Sequence, residues 1–239
     1  MTQSTVALVT GASSGIGRAI ALRLAADGTT VIAAARRADR LRALAAEADG
    51  TIEPYELDVT DRAAVASAVD DIVARHGRLD VLVANAGVMP LSRLDAGLVD
   101  EWDRMIDVNI RGLLHGIAAA LPQFGRQERG HVVTVASIGA HEVTATAAVY
   151  CGTKYAAWAI TEGLRQESPP WLRVTTISPG VVESELADTI TDPVARTAMA
   201  EYRRNAISPG AVADAVAYAV GTDADVDVSE IVIRPTRQR

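Results

Sequence analysis

An apolar run of strand length, Thr5–Val9, stops at the turn Thr10-Gly11-Ala12-Ser13-Ser14-Gly15-Ile16-Gly17, and Ile16–Ala26 continues at once with helical spacing. A strand that feeds a helix through so short a turn constrains the fold strongly. The helix must pack back on its strand, and the next strand then runs parallel to the first. The pattern repeats. Strand-length runs at Thr30–Ala35, Ile52–Leu57, Val81–Ala84, Val132–Ala136, Val174–Ser178 and Glu230–Ile233 alternate with helical stretches. Those stretches pass through Leu41, Leu44 and Ala48, span about Asp61 to His76, run from Trp102 to Leu121 before Pro122, and run from Val149 to Gln166 before Pro169-Pro170. Such alternation predicts one α/β domain over residues 1–239, a parallel sheet with helices on both faces. Residues 183–207 depart from it. They are polar and weakly periodic, and read either as a flap over a site or as a pair of short surface helices.

The glycines of the first turn suit a phosphate. They permit a tight turn, close approach of backbone to ligand, and close packing of helix on strand. The following helix offers unpaired N–H groups and a positive dipole end to a pyrophosphate. The second strand ends in Ala33-Ala34-Ala35-Arg36-Arg37. An acidic residue there would bond the adenosine ribose 2′-OH of NAD, and none is present. Arg36 and Arg37 instead suit the 2′-phosphate of NADP, a charge-assisted contact for a guanidinium fork.

Lysine and arginine together number 23, and Lys154 is the only lysine. It stands four residues after Tyr150, on the same helix face. An ammonium is a compact point charge where a guanidinium is a wide planar fork. A phenol with a pKa near 10 needs a close cation to act as a base near neutral pH. Tyr150 and Lys154 therefore read as an acid/base pair.

Composition excludes several classes. Apolar residues make up 49% of the 239, enough for a substantial core, and aromatics only 4%. A formal charge of −7 without a basic run argues against nucleic acid. No apolar stretch approaches the length of a membrane span, and the N-terminus lacks a signal pattern. The single cysteine, Cys151, allows no internal disulfide and fits a reducing cytoplasm. His76, His115, His131 and His141 have no metal-ligand spacing, so no metal site is expected. Cys151, Trp102, Trp158, Trp171 and Tyr155 read as packing residues.

Taken together, T-G-x-x-x-G-x-G at 10–17, Asn85-Ala86-Gly87, Ser137, and Tyr150 with Lys154 resemble the short-chain dehydrogenase/reductase family, and Tyr150 lies thirteen positions after Ser137. The resemblance runs from Thr5 to about Arg234. It implies a doubly wound Rossmann fold with a mostly parallel seven-stranded sheet. It also implies an NADP(H)-dependent oxidoreductase moving a hydride between nicotinamide and a carbonyl or secondary alcohol. Asn109, Ser137, Tyr150 and Lys154 take the catalytic positions: Tyr150 trades the proton, Lys154 lowers its pKa and bonds the nicotinamide ribose, Ser137 donates to the developing alkoxide, and Asn109 holds a water. Gly11, Ser13, Ser14, Gly15, Ile16, Gly17, Arg36, Arg37, Asp58, Val59, Asn85, Ala86, Gly87, Pro179, Gly180, Val182 and Ser184, with Tyr150 and Lys154, take the cofactor positions. Val88, Met89, His141, Val143, Val182 and Leu186 are expected to line the substrate end, favouring a hydrophobic ketone or alcohol. His141 and Glu142 read equally as loop surface. A homotetramer or homodimer through helices at 98–121 and 148–167 is implied as well. The tail Ile233-Arg234-Pro235-Thr236 resembles the NADP-dependent hydroxy-acid and small-carbonyl subgroup. A Rossmann methyltransferase would want an acid after the second strand and no Tyr–Lys pair. A non-catalytic NADP-binding regulator would be expected to lack Ser137, Tyr150 or Lys154.

Overall fold

The computed structural model describes residues 4–238. Its strands are β1 (Val6–Thr10), β2 (Thr30–Ala35), β3 (Ile52–Glu56), β4 (Val81–Ala84), β5 (Gly130–Val135), β6 (Leu172–Pro179) and β7 (Glu230–Ile233). They form one sheet in the order β3-β2-β1-β4-β5-β6-β7, and every neighbouring pair is parallel. The helices are α1 (Gly15–Ala26), α2 (Ala38–Glu47), α3 (Arg62–His76), α4 (Val99–Ile106), α5 (Gly112–Gln127), α6 (Ala148–Glu167), α7 (Pro193–Tyr202) and α8 (Pro209–Gly221).

Strand side chains alternate between faces, so both faces must be apolar when helices cover both. Ala7 and Val9 of β1 join Ile20 and Leu24 of α1, Leu41 of α2 and Val216 of α8 in one core layer. Val6 and Leu8 of the same strand join Val69 and Ile72 of α3, Ile117 and Phe124 of α5 and Ala157 of α6 in the other. A third cluster, with Val88, Met89, Met105, Tyr150 and Ile190, lies beyond the C-terminal strand ends. Strand order reverses between β1 and β4, and an open α/β sheet of this kind has its crevice there.

Two expectations change, and residues 183–207 gain a definite form. The helical region from Trp102 is not one helix ending before Pro122. It breaks at a π-helical segment, Asp107–Arg111, and α5 then runs through Pro122 to Gln127. A proline gives up one helical N–H bond, but packing carries this helix onward. Phe124 is fully buried, and the Gln127 amide brackets Leu79, accepting from its N–H at 3.0 Å and donating to its carbonyl at 2.7 Å. Residues 183–207 contain two short 3₁₀ turns and α7, capped by Asp192, whose carboxylate accepts from Ala195 N–H at 2.7 Å. Tyr155 is not core: it is 39% exposed, about 100° around α6 from Lys154.

Candidate active site

The glycine turn sits at the crevice. Gly11 has φ +69 and Gly15 φ +53, both in the left-handed region that favours glycine. A side chain on Gly11 would lie 2.8 Å from the Ala86 backbone, and one on Gly17 would overlap the Gly11 carbonyl and the Asn85 amide. The close approach is itself built by hydrogen bonds. Asn85 Nδ2 donates to Thr10 O at 2.8 Å, and the N–H groups of Asn85 and Ala86 both donate to Thr10 Oγ1 at 3.1 Å. The segment after β4 is thus fastened to the segment after β1. Ser14 occupies the N-cap of α1 without capping it, which leaves the first-turn N–H groups free of a side-chain partner. Its hydroxyl accepts from Arg37 Nη2 at 2.8 Å instead, and Ser13 Oγ accepts from Arg37 Nε at 3.1 Å. Arg36 is exposed beside Asp58. Burial pulls the Asp58 carboxyl up, but bonds from Thr60 N–H and hydroxyl and the nearby Arg36 charge outweigh it and hold the pKa below the ordinary value.

The reactive end is assembled from β5, α6 and the π-helical segment. Ser137 follows β5, and its Oγ accepts from Gly139 N–H at 3.0 Å. Tyr150 and Lys154 project from one face of α6 and are both buried. Burial pushes the Tyr150 phenol up to about 12, partly offset by its hydrogen bond with Ser137. Burial likewise lowers Lys154 to about 8. The ammonium donates to Val135 O at 2.9 Å and lies 5.9 Å from the Tyr150 ring centre. The resemblance implies that the ammonium lowers the Tyr150 pKa; in this site burial acts in the opposite direction and is the larger effect. A Cβ at Gly139 would sit in ordinary van der Waals contact with the Tyr150 ring and Cys151 Sγ at 3.4 Å and with Ser137 Oγ at 3.5 Å.

Asn109 lies in the π-helical segment and is buried. Its Oδ1 accepts from Val88 N–H at 2.9 Å, and its Nδ2 donates to Val88 O and to Thr153 Oγ1, each at 3.0 Å. Both donors are committed, so only the second lone pair of Oδ1 is left on the side chain to take a water.

A single cavity of about 420 Å³ follows the strand ends from Arg36 and Arg37 to Met199 and Tyr202. Every residue expected at a cofactor position lines it, as do Ser137, Tyr150 and Lys154; Asn109 stands behind its wall. Two expected wall residues do not belong to it. Val143 is 65% exposed, and His141 turns away to Glu230 at 2.8 Å and Ser178 at 3.2 Å. The loop after Ser137 folds so that Glu142, Thr144 and Ala147 face the cavity instead. Residues 183–207 supply further wall: Leu186, Ala187, Thr189, Met199, Tyr202 and Arg203. Among the described residues no cluster of His, Cys, Asp and Glu is placed to hold a metal ion.

The donor set fits a dinucleotide. Side-chain-free backbone at Gly11, Gly15 and Gly17, uncapped N–H groups on α1 and a guanidinium at Arg37 are what a pyrophosphate and a further phosphate require. Comparison with known proteins agrees. The family model described as short chain dehydrogenase matches residues 5–195. An uncharacterized oxidoreductase of Staphylococcus saprophyticus is 43% identical over 98% of this chain and 96% of its own length. The alcohol dehydrogenase of the archaeon Thermococcus sibiricus, solved in complex with 5-hydroxy-NADP, is 30% identical with a TM-score of 0.87, covering 99% of this chain and 98% of that one. The closed form of a serine dehydrogenase complexed with NADP+ is 29% identical with a TM-score of 0.87, covering 95% and 94%. With the fold, the crevice and the order of its motifs in agreement, this chain belongs to the short-chain dehydrogenase family of oxidoreductases.

Proposed function

We propose that the chain is an NADP(H)-dependent carbonyl reductase and alcohol dehydrogenase. The observation that carries this reading is the set of Ser137, Tyr150 and Lys154 on one wall of the cavity whose far end holds Arg36 and Arg37. When bound, NADPH would supply the hydride that reduces a carbonyl carbon. The chain's own residues handle everything else. Tyr150, with its pKa near 12, keeps its proton at neutral pH and gives it to the carbonyl oxygen. Ser137 turns its hydroxyl to that oxygen as charge develops on it. Lys154, near 8, exchanges protons within the physiological range and restores the Tyr150 proton. Asn109 positions Val88 and Thr153, and through them the α6 face that bears Lys154.

At the substrate end Val88, Met89, Leu91 and Leu186 favour an apolar ketone or secondary alcohol, with Glu142 and Arg203 at the polar margin. Recognition of the 2′-phosphate falls to Arg36 and Arg37, with Ser13 and Ser14 orienting the second. A homodimer or homotetramer through α4, α5 and α6 is supported by exposed Ile106, Leu114 and Tyr155 on those helices. The buried free Cys151 fits work in the cytoplasm, and no helix among the described residues is long and apolar enough to cross a membrane.

Mixing the protein with NADPH and a panel of ketones and aldehydes, and following absorbance at the nicotinamide band, tests the reading. Loss of that absorbance with at least one carbonyl compound is expected. Tight NADPH binding without turnover on any of them would favour the regulatory alternative.

A further inference from the structure

Glu185 is an acidic residue where a cofactor phosphate has to be read. It opens the short turn Glu185–Thr189, directly after Ser184, whose Cβ stands 3.2 Å from where a side chain on Gly15 would sit. One carboxylate oxygen accepts from Arg37 Nη1 at 2.9 Å, and the other accepts from Arg40 Nη1. The other two Arg37 nitrogens serve Ser13 and Ser14, so each nitrogen of the fork already has a partner. Held by two guanidinium groups, the Glu185 carboxyl drops to about 2 and stays ionised at any working pH. Glu185 lines the same cavity as Arg37 and belongs to the segment over the substrate end, which Arg203 ties back through the Ser184 carbonyl.

We propose that Glu185 competes with the 2′-phosphate for Arg37 and Arg40, and thereby sets how far the protein prefers NADP(H) over NAD(H). This rests on the NADP(H) reading above. A phosphate dianion reaching Arg37 meets a guanidinium that a carboxylate already holds through Nη1. Either Glu185 releases the guanidinium groups or two anions face each other across them, and both cost affinity. A cofactor with a bare ribose 2′-OH brings no charge to this point and leaves the ion pairs in place. Release of Glu185 also frees the start of the 185–205 segment from α2, so occupancy of the phosphate end is felt where substrate enters. Arg40 reaches this point from α2 through Glu185 and is the second guanidinium that its release would free.

The test is calorimetric titration of the parent and Glu185→Gln at low salt with NADPH, NADH, 2′,5′-ADP and 5′-AMP. Glu185 is half-exposed, so the substitution leaves the core untouched. Glu185→Gln is expected to bind NADPH and 2′,5′-ADP about two- to fivefold tighter than the parent, the upper part of the range for exposed ion pairs, with NADH and AMP unchanged. Unchanged or weaker NADPH binding overturns the competition. An equal gain for NADH and AMP also overturns it, because the gain would then come from the segment and not from the phosphate. If the parent itself binds NADPH no better than NADH, the cofactor reading fails and this proposal falls with it. If the parent prefers NADPH and Glu185→Gln leaves the ratio unchanged, the competition alone is wrong.

Discussion

Replacing Lys154 by Met should make the protein more stable at pH 7 while destroying its activity. Burial lowers this ammonium from the ordinary 10.5 to about 8. At about 1.36 kcal/mol per pH unit, that gap is a penalty of about 3 kcal/mol for keeping the charge buried. Met fills a similar volume without the charge. The substitution also removes the charged bond to the Val135 carbonyl, worth about 1.5–3 kcal/mol. A net gain of up to about 1.5 kcal/mol is left, or up to about 6 °C in Tm for a chain of this size. The pH dependence gives the sharper signature. The folded-state pKa lies below the unfolded one, so between about pH 8 and 10.5 the unfolded chain binds the extra proton. Parent stability attributable to Lys154 therefore rises across that window and is lost as pH falls through about 8. The advantage of Lys154→Met should shrink above pH 8 and reverse near pH 10.5, where only the lost hydrogen bond remains. Urea unfolding of both proteins from pH 7 to 10.5, at fixed protein concentration, measures the difference directly. A variant less stable than the parent at pH 7, by an amount that does not change with pH, would refute the reasoning.

Lys154→Arg keeps the charge but not the shape. A planar fork does not fit the pocket between Tyr150 and the Val135 carbonyl, so kcat should fall at least about 10²-fold, or about 2.7 kcal/mol; near-parental turnover would show that charge alone is needed. Arg36→Asp puts an anion beside Asp58 and would remove the proposed phosphate partner, so Kd for NADPH should rise while NADH binding improves. An unchanged ratio of the two affinities would remove Arg36 from cofactor selection.

What the sequence made legible was local. The first turn, the strand runs and the Tyr–Lys spacing are set by residues within a few positions of one another. The structure brings that whole set of turn, strand-end and α6 residues to one cavity. What it hid depends on distant contacts. Pro122 reads as a helix end until Phe124 and Gln127 find their burial and their bonds to Leu79. α8 was passed over, although Ser208-Pro209 caps its start and Val212, Ala213, Val216 and Ala217 form its buried stripe. Small alternating Ala and Val give a weak periodic signal when Asp214 is the one charged residue on the opposite face. His141 sits near Ser137 in sequence, yet Glu230, from the far end of the chain, draws it away. Glu185 pairs with residues about 145 positions earlier, and no local pattern announces that.

In the proposed reaction Tyr150 carries the proton for hydride transfer in a site otherwise built to bind. Tyr150→Phe tests it most directly, because the ring keeps its place in the apolar cluster and only the hydroxyl is lost. The measurement is kcat for reduction of the best carbonyl substrate, beside the NADPH dissociation constant, for parent and variant. A loss of at least about 10²-fold in kcat is expected, the typical contribution of a positioned acid being about 10²–10⁴, with NADPH affinity within about threefold of the parent. A variant that retains more than about a tenth of parental kcat would contradict it, since another group would then be supplying the proton.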